Sequence, residues 1–330
     1  MRHPRISLCM IVKNEEGTLA NCLRSVSGVA DEIIVVDTGS SDSTSEVAGT
    51  FGAKVVSHEW HEDFSDARNV SLDHATGDWI LVLDADEELP ESTGRRIPET
   101  VEAAQADGLE LTVRSELPAG DAASYDDSRI VRLFRNRKEY RYIMPIHEQI
   151  RPSIEKNGGK IFSSDLVIIH HGYASMVVQG KENRADRNLK MLHEAILKSP
   201  AEPYFHYQLG SVLMSTGKRS EALVELKSVL DLDYRKMGGA ILDKLYMKIS
   251  QLALEKNDFV SAIQNADSSL RINPENSISM YVAAVGYLSM NRIADGYEYL
   301  LRIRAIGGGS PRIGRQLEEL IDACEKVLKA

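Results

Sequence analysis

Trp79-Ile80-Leu81-Val82-Leu83-Asp84-Ala85-Asp86 runs apolar for five positions and then ends in two carboxylates. Gly77-Asp78 bounds the run before it and acids bound it after, so it reads as a central strand buried on both faces. Acids at the carboxyl end of such a strand stand where open α/β sheets bind ligands. Their oxygens suit a hard divalent cation, Mg²⁺ or Mn²⁺, of the kind shared with substrate phosphates. The competing reading is a solvated acidic turn, because Glu87 and Glu88 continue the charge.

Upstream of this strand the pattern alternates. Residues 6–12 read as a strand, and Leu19, Cys22, Leu23 and Val26 then give the stripe of an amphipathic helix. Residues 32–36 form the next strand, closing on Asp37-Thr38-Gly39-Ser40, and Ser43 or Thr44 caps the helix after it. Residues 54–57 are a third strand. Asp63 or Ser65 then caps a helix running to Ala75. Alternation of this kind predicts an α/β, Rossmann-like mixed, mostly parallel sheet with helices on both faces. Downstream, residues 109–113, 129–134 and 160–169 read as strands joined by Gly-, Asp- and Pro-bearing loops, the mixed second half of the same sheet.

From about residue 185 the chain turns helical and repetitive. Tyr204…Leu209-Gly210…Gly217…Ala222 has the layout of a tetratricopeptide unit, and Asn257…Ala262…Pro274 and Asn291…Gly296 repeat it imperfectly. Asn257 and Asn291 lie 34 residues apart, as do Ala262 and Gly296, which is the period of that repeat. Gly307-Gly308-Gly309-Ser310 breaks the array. A last helix carries Ile313, Leu317, Leu320, Ile321, Cys324, Val327 and Leu328 on one stripe, the terminal cap such stacks require. The predicted domains are therefore residues 1–180 and an all-α repeat domain over residues 181–330.

Composition narrows the function classes. The 330 residues suffice for two cores. A net charge of −10, from 39 basic and 49 acidic residues, argues against a nucleic-acid binder that works by neutralising phosphates. No apolar run approaches bilayer length, and no signal-peptide core stands at the amino terminus, so no transmembrane segment and a cytoplasmic location are expected. Cys9, Cys22 and Cys324 are odd in number and scattered, which fits reduced core thiols in a reducing compartment.

Several side chains stand where chemistry could use them. Asp37 follows the second strand, so it should enter the same crevice as Asp84 and Asp86, to accept from a nucleobase or ribose or to cap the turn at Gly39. Asn14-Glu15-Glu16 follows the first strand in the equivalent position. The glutamates would favour a first helical turn, while the loop backbone could contact a nucleotide. Arg68 and Asn69 lie near the start of the third helix. An arginine fork there suits a diphosphate, against a surface pairing with Glu62 or Asp66. His147-Glu148 and His170-His171 offer bases and metal donors.

Four motifs taken together resemble the family 2 glycosyltransferases. They are Ser7-Leu8-Cys9-Met10-Ile11-Val12-Lys13-Asn14-Glu15-Glu16, Asp31-Glu32-Ile33-Ile34-Val35-Val36-Asp37-Thr38-Gly39-Ser40, Asp66-Ala67-Arg68-Asn69 and Asp84-Ala85-Asp86-Glu87. Arg132-Leu133-Phe134-Arg135, Ile146-His147-Glu148 and Ile169-His170-His171-Gly172-Tyr173 further resemble the subgroup that carries tetratricopeptide repeats. That subgroup includes bacteriocin peptide glycosyltransferases, and the first half is also similar to lipopolysaccharide-core glucosyltransferases. The resemblance implies a GT-A type fold and an inverting transfer from a nucleotide-sugar donor, a UDP-hexose. It implies that Asp37 holds the uracil, with Asn14 and Arg68 on the nucleotide, and that Asp84 and Asp86 serve ribose and an Mn²⁺ or Mg²⁺ ion. His170 would be a further metal ligand and Glu148 the base. The repeats would bind a peptide or protein acceptor or mediate a homodimer.

Other classes remain as alternatives. One is a transferase acting on a lipopolysaccharide or other glycan, and another is a non-catalytic repeat scaffold with a decayed transferase half. A sugar nucleotidyltransferase would carry a Gly-rich, basic loop where Lys13-Asn14-Glu15-Glu16 stands, and a dinucleotide-dependent oxidoreductase would carry G-x-G-x-x-G there.

Overall fold

The computed structural model describes residues 3–116, 125–171, 181–307 and 311–329, with side chains at 181–184 and 311–315 excepted. Gly172-Tyr173, Gly308-Gly309-Ser310 and the side chain of Ile313 lie outside the described residues. The alternating segment gives β1 (Ile6–Val12), α1 (Leu19–Ser25), β2 (Glu32–Asp37), α2 (Thr44–Thr50), β3 (Lys54–Ser57), α3 (Phe64–His74) and β4 (Trp79–Val82). After these come β5 (Glu87–Glu88), α4 (Glu91–Ala103), β6 (Gly108–Glu116), β7 (Tyr125–Arg135), α5 (Arg151–Lys156) and β8 (Ile161–His170). All eight strands share one sheet in the order β3-β2-β1-β4-β7-β6-β8-β5. The half from β3 to β4 is parallel, β7 runs antiparallel to β4 and to β6, and β8 returns parallel to β6. The chain thus adopts the expected mixed, mostly parallel sheet followed by a helical repeat region.

The apolar runs explain this order. Trp79, Ile80, Leu81 and Val82 are buried because β4 is central and covered on both faces. One face packs Leu8, Met10, Leu81, Leu23 and Ile97 together, and the other packs Cys9, Ile34, Ile80, Phe134 and Tyr140. Gly77 admits the chain into β4. A Cβ there would lie 2.6 Å from Ser7 Oγ and 2.9 Å from the Arg5 carbonyl, so only glycine lets the loop pass β1 this closely.

The chain divides into two compact units, Met1–Glu182 and Asn183–Ala330. Beginning with α6 (Lys181–Lys198), the helical part contains α7 (Pro203–Ser215), α8 (Arg219–Ser228), α9 (Gly239–Glu255), α10 (Phe259–Ile272), α11 (Ser277–Ser289), α12 (Ile293–Ala305) and α13 (Pro311–Leu328). On α13, Leu317, Ile321 and Cys324 are buried against Leu300 and Ile303, while Val327 and Leu328 are exposed. The stripe therefore ends one turn earlier than its sequence pattern suggests. All three cysteines are free and buried. Among the described residues no helix is long and apolar enough to cross a membrane.

Candidate active site

Strands β1 and β2 end level, with Val12 opposite Asp37, so the loops that follow them share one crevice. Those loops are tied to each other. The Asn14 N–H donates to Ser40 Oγ at 3.0 Å, and Asn14 Oδ1 accepts from the Ser41 N–H at 2.8 Å. The Glu15 N–H donates to Thr44 Oγ1 at 2.7 Å, and Glu16 accepts from the Ser43 N–H at 2.9 Å. Asn14 has φ of 56°, the left-handed region that asparagine tolerates better than most residues. Helix α1 begins only at Leu19, so Glu15 and Glu16 precede it rather than sitting in its first turn.

Asp37 anchors the second loop. Its Oδ1 accepts from the Gly39 and Ser40 N–H groups at 3.0 and 2.8 Å, and its Oδ2 from the Ser45 hydroxyl. Burial works against its charge, yet these donors hold its carboxyl below the usual range. The turn-capping role raised for Asp37 is thus present in the structure. Any nucleotide contact is made on top of it.

The centre of the site lies beyond β4. Arg68 Nη2 donates to Asp84 Oδ1 at 2.6 Å and Arg68 Nε to Glu148 Oε1 at 2.7 Å. Arg132 Nη2 reaches Asp84 Oδ2 at 2.9 Å and Glu87 Oε1 at 2.6 Å. Arg68 is buried, so the surface pairing with Glu62 or Asp66 does not occur. Asn69, beside it on α3, exchanges two hydrogen bonds of 2.9 Å with the backbone of Tyr142. That clamp holds the segment bearing Glu148 against α3. The Asp63 cap accepts from the Asp66 N–H and fixes where α3 starts.

Sequence reasoning missed the roles of Arg132 and Glu87. Antiparallel pairing sets Leu133 of β7 opposite Leu81 of β4, which brings the neighbouring Arg132 to the acidic end of β4. The available signal was an arginine between Val131 and Leu133 in a strand otherwise buried there. Glu87 is 2% exposed, so the solvated-turn alternative fails at that residue. Burial pushes its carboxyl up to about 7 against the pull of Arg132, with the Asp84 charge adding to the rise. Asp84 keeps 37% of its side-chain exposure, and burial is outweighed by Arg132 and Arg68, which hold it far below the usual carboxylate range.

Asp86 and His170 meet on the other side of this turn. Pairing of β5 with β8 sets Glu87 opposite His170, and His170 Nε2 lies 3.3 Å from Asp86 Oδ2. The His170 Nδ1 is fixed by Ser115 Oγ at 3.0 Å. The Asp86 contact raises the imidazole's affinity for a proton above its ordinary value, with burial opposing. An oxygen and a nitrogen at this spacing fit two neighbouring ligands of one divalent ion. Asp84 does not fit a metal in the same way, because a guanidinium already lies on each of its oxygens. His171 continues the cluster, with Nδ1 at 3.0 Å from Glu116 and Nε2 at 3.5 Å from Glu88.

Two further features stand out around these residues. Arg68 Nη1 and Arg132 Nε are buried without hydrogen-bond partners, although both residues otherwise bind carboxylates. A buried donor left unpaired is costly, and an incoming phosphate oxygen would remove the cost. Met144 and His147 beside Glu148 take left-handed φ of 76° and 54°, strain of the kind that gathers at functional loops. Burial lowers the His147 imidazole below its usual value, and its Nε2 has no partner.

The chain is similar to several known proteins. Residues 7–150 match the family described as Glycosyl transferase family 2. A TPR repeat-containing protein of Synechococcus elongatus is 35% identical over 274 residues, covering 81% of this chain and 66% of that protein. The SPbeta prophage-derived glycosyltransferase SunS of Bacillus subtilis is 27% identical over 264 residues, covering 78% of this chain and 60% of its own length. The chain thus spans slightly under two thirds of these relatives. Among solved structures, S. aureus TarS superposes with 14% identity and a TM-score of 0.44, over 79% of this chain and 54% of TarS.

Proposed function

Because residues 7–150 match glycosyltransferase family 2, we propose that this chain is a glycosyltransferase that moves a hexose from a UDP donor to a peptide or protein acceptor, with inversion at the anomeric carbon. The observation that carries this reading is the convergence of Arg68, Arg132, Asp84, Asp86, His170 and Glu148 around the carboxyl end of β4, with a buried Arg68 Nη1 still to be paired. In the reaction the bond from the anomeric carbon to the diphosphate oxygen breaks as a bond from the acceptor atom forms on the opposite face. Arg68 meets the charge that develops on the leaving diphosphate, and Asp84 with Arg132 fixes its guanidinium in advance. Glu148 takes the acceptor proton, a role worth about 10²–10⁴-fold in general-base catalysis.

Asp86 and His170 would hold a divalent ion, Mn²⁺ or Mg²⁺. Bound there, it would act as a Lewis acid on the diphosphate. Asp84 serves by orienting the two arginines rather than by binding the ion. Asp37 and Asn14 shape the base-binding loop whose backbone they tie down. The acceptor class rests on the repeat unit, since stacked helical repeats make extended surfaces suited to extended chains.

The test is Asp86→Ala with a panel of UDP- and GDP-sugars and added Mn²⁺ or Mg²⁺. Nucleotide release and sugar transfer should both vanish while the unfolding midpoint stays within experimental error. Full activity in that variant would remove Asp86 from the site.

A further inference from the structure

A second cluster of donors lies where β3 hands over to α3, outside the site described above. His58 follows the strand, and its N–H donates to the Asp37 carbonyl at 2.9 Å. Asp66 sits in the first turn of α3. His58 Nε2 and His61 Nδ1 each lie 2.9 Å from the same oxygen, Asp66 Oδ2. The two rings meet edge to face, with centroids 5.1 Å apart. One donor atom from each of the three residues falls within 4.8 Å of the others.

We propose that His58 Nε2, His61 Nδ1 and Asp66 Oδ2 form a transition-metal site for an ion of the Zn²⁺ class, separate from Asp86 and His170. Two imidazoles and one carboxylate are the donor set of a zinc site with an open position, and two nitrogens among three donors favour an ion of the Zn²⁺ class over Mg²⁺. Tetrahedral bonds of about 2.0–2.1 Å space donors about 3.3–3.4 Å apart. The two nitrogen-to-oxygen distances must therefore open by about half an ångström. The His61 side chain is 54% exposed and rides on a loop, so it has room to do so. With no ion, two ring N–H groups crowd one carboxylate oxygen. With one, each donor takes its own coordination position.

The consequence is positional. An ion here would pin residues 58–63 to α3. That loop continues through the Phe64 N–H, which donates to the Pro145 carbonyl at 2.8 Å, to the segment that carries Glu148. It is also braced by Trp60 against Phe64, with ring centroids 4.7 Å apart.

The experiment titrates untagged, chelator-stripped full-length protein with ZnCl₂ by calorimetry, and with CoCl₂ by visible absorption, in excess MgCl₂. Wild type should take up one equivalent with a cobalt band of low-coordinate type. His61→Ala, chosen because the side chain is exposed, and Asp66→Asn should each weaken binding by at least about 10-fold, the lower end of what loss of even an outer partner costs a metal site. Asp86→Ala should bind zinc as wild type does. Equal affinity in His61→Ala and wild type would overturn the proposal. Loss of zinc in Asp86→Ala alone would also overturn it, and would move the ion to the Asp86 and His170 pair without touching the transfer reaction proposed there.

Discussion

Asp37 and Arg132 both carry structural tasks at the site, and each makes a separable forecast. Truncating Asp37 to alanine strips the Gly39 and Ser40 N–H groups of their acceptor, which should lower stability by about 1–3 kcal/mol in urea unfolding. Asp37→Asn keeps one acceptor oxygen and should lose less. If the asparagine variant folds normally yet binds UDP more weakly, the carboxylate also touches the nucleotide. Its folded-state affinity for a proton is depressed, so its contribution is full above about pH 4, the ordinary aspartate range, and fades as pH falls through the lower folded value. Unfolding curves from pH 5 down to pH 2 should show that loss in wild type and not in Asp37→Ala. Arg132 is a different case, because it balances Asp84 and Glu87 in a buried place. Arg132→Met should cost about 3–5 kcal/mol by leaving those acids uncompensated, and adding Glu87→Gln should restore part of it. Additive losses in that double-mutant cycle would mean the pair is not coupled. Asp84 and Asp86 could be read from the chain because carboxylates interrupt an apolar run. Arg132 could not, because its place depends on a strand some fifty residues away turning antiparallel to β4.

Elements were legible where they obey one period and opaque where punctuation intrudes. Strands β1 and β3 coincide with their sequence-derived ranges, and β2 runs one residue further, since alternating turns and apolar runs fix their ends. Helix α4 went unread because Gly94 and Pro98 lie inside it, residues that ordinarily end a helix pattern. Strand β5 is two residues long and is defined only by its partner β8. The repeats show the opposite behaviour. Gly217, Asn257 and Asn291 each take left-handed φ at the end of a helix. In all three the next residue's N–H reaches back five positions, to Leu213, Ala253 and Tyr287. This is one helix-ending motif used three times, and it is why asparagine or glycine recurs there. Close contact inside each helix pair imposes the other recurring position. A Cβ on Gly296 would sit 2.7 Å from Leu288 Cγ and 3.0 Å from the Ala284 carbonyl. Gly296→Ala should therefore destabilise the repeat unit by about 1–3 kcal/mol despite alanine's better helix propensity, as thermal unfolding would show. A neutral or stabilising result would mean α11 and α12 separate at no cost.

At the scale of the molecule the two units divide the work that the proposed reaction requires. The unit Met1–Glu182 contains the sheet, its two packed faces around Trp79 and Tyr140, and every residue assigned to the donor and the base. The unit Asn183–Ala330 has its own apolar clusters around Leu300 and Ala262. A unit with its own core can fold alone, so residues 1–182 expressed without the repeats should give a cooperative unfolding transition. That fragment should still bind UDP with a divalent ion and release nucleotide slowly from a UDP-hexose, because water can replace the acceptor. Transfer to a peptide or protein acceptor should drop by far more than hydrolysis, since the repeat surface that would concentrate the acceptor is gone. Measuring both rates on the same preparation separates the two roles of the helical unit. A matched fall in hydrolysis and transfer would assign the repeats to supporting the sheet. An unchanged transfer rate would take acceptor binding away from them altogether and return it to the crevice beside Glu148.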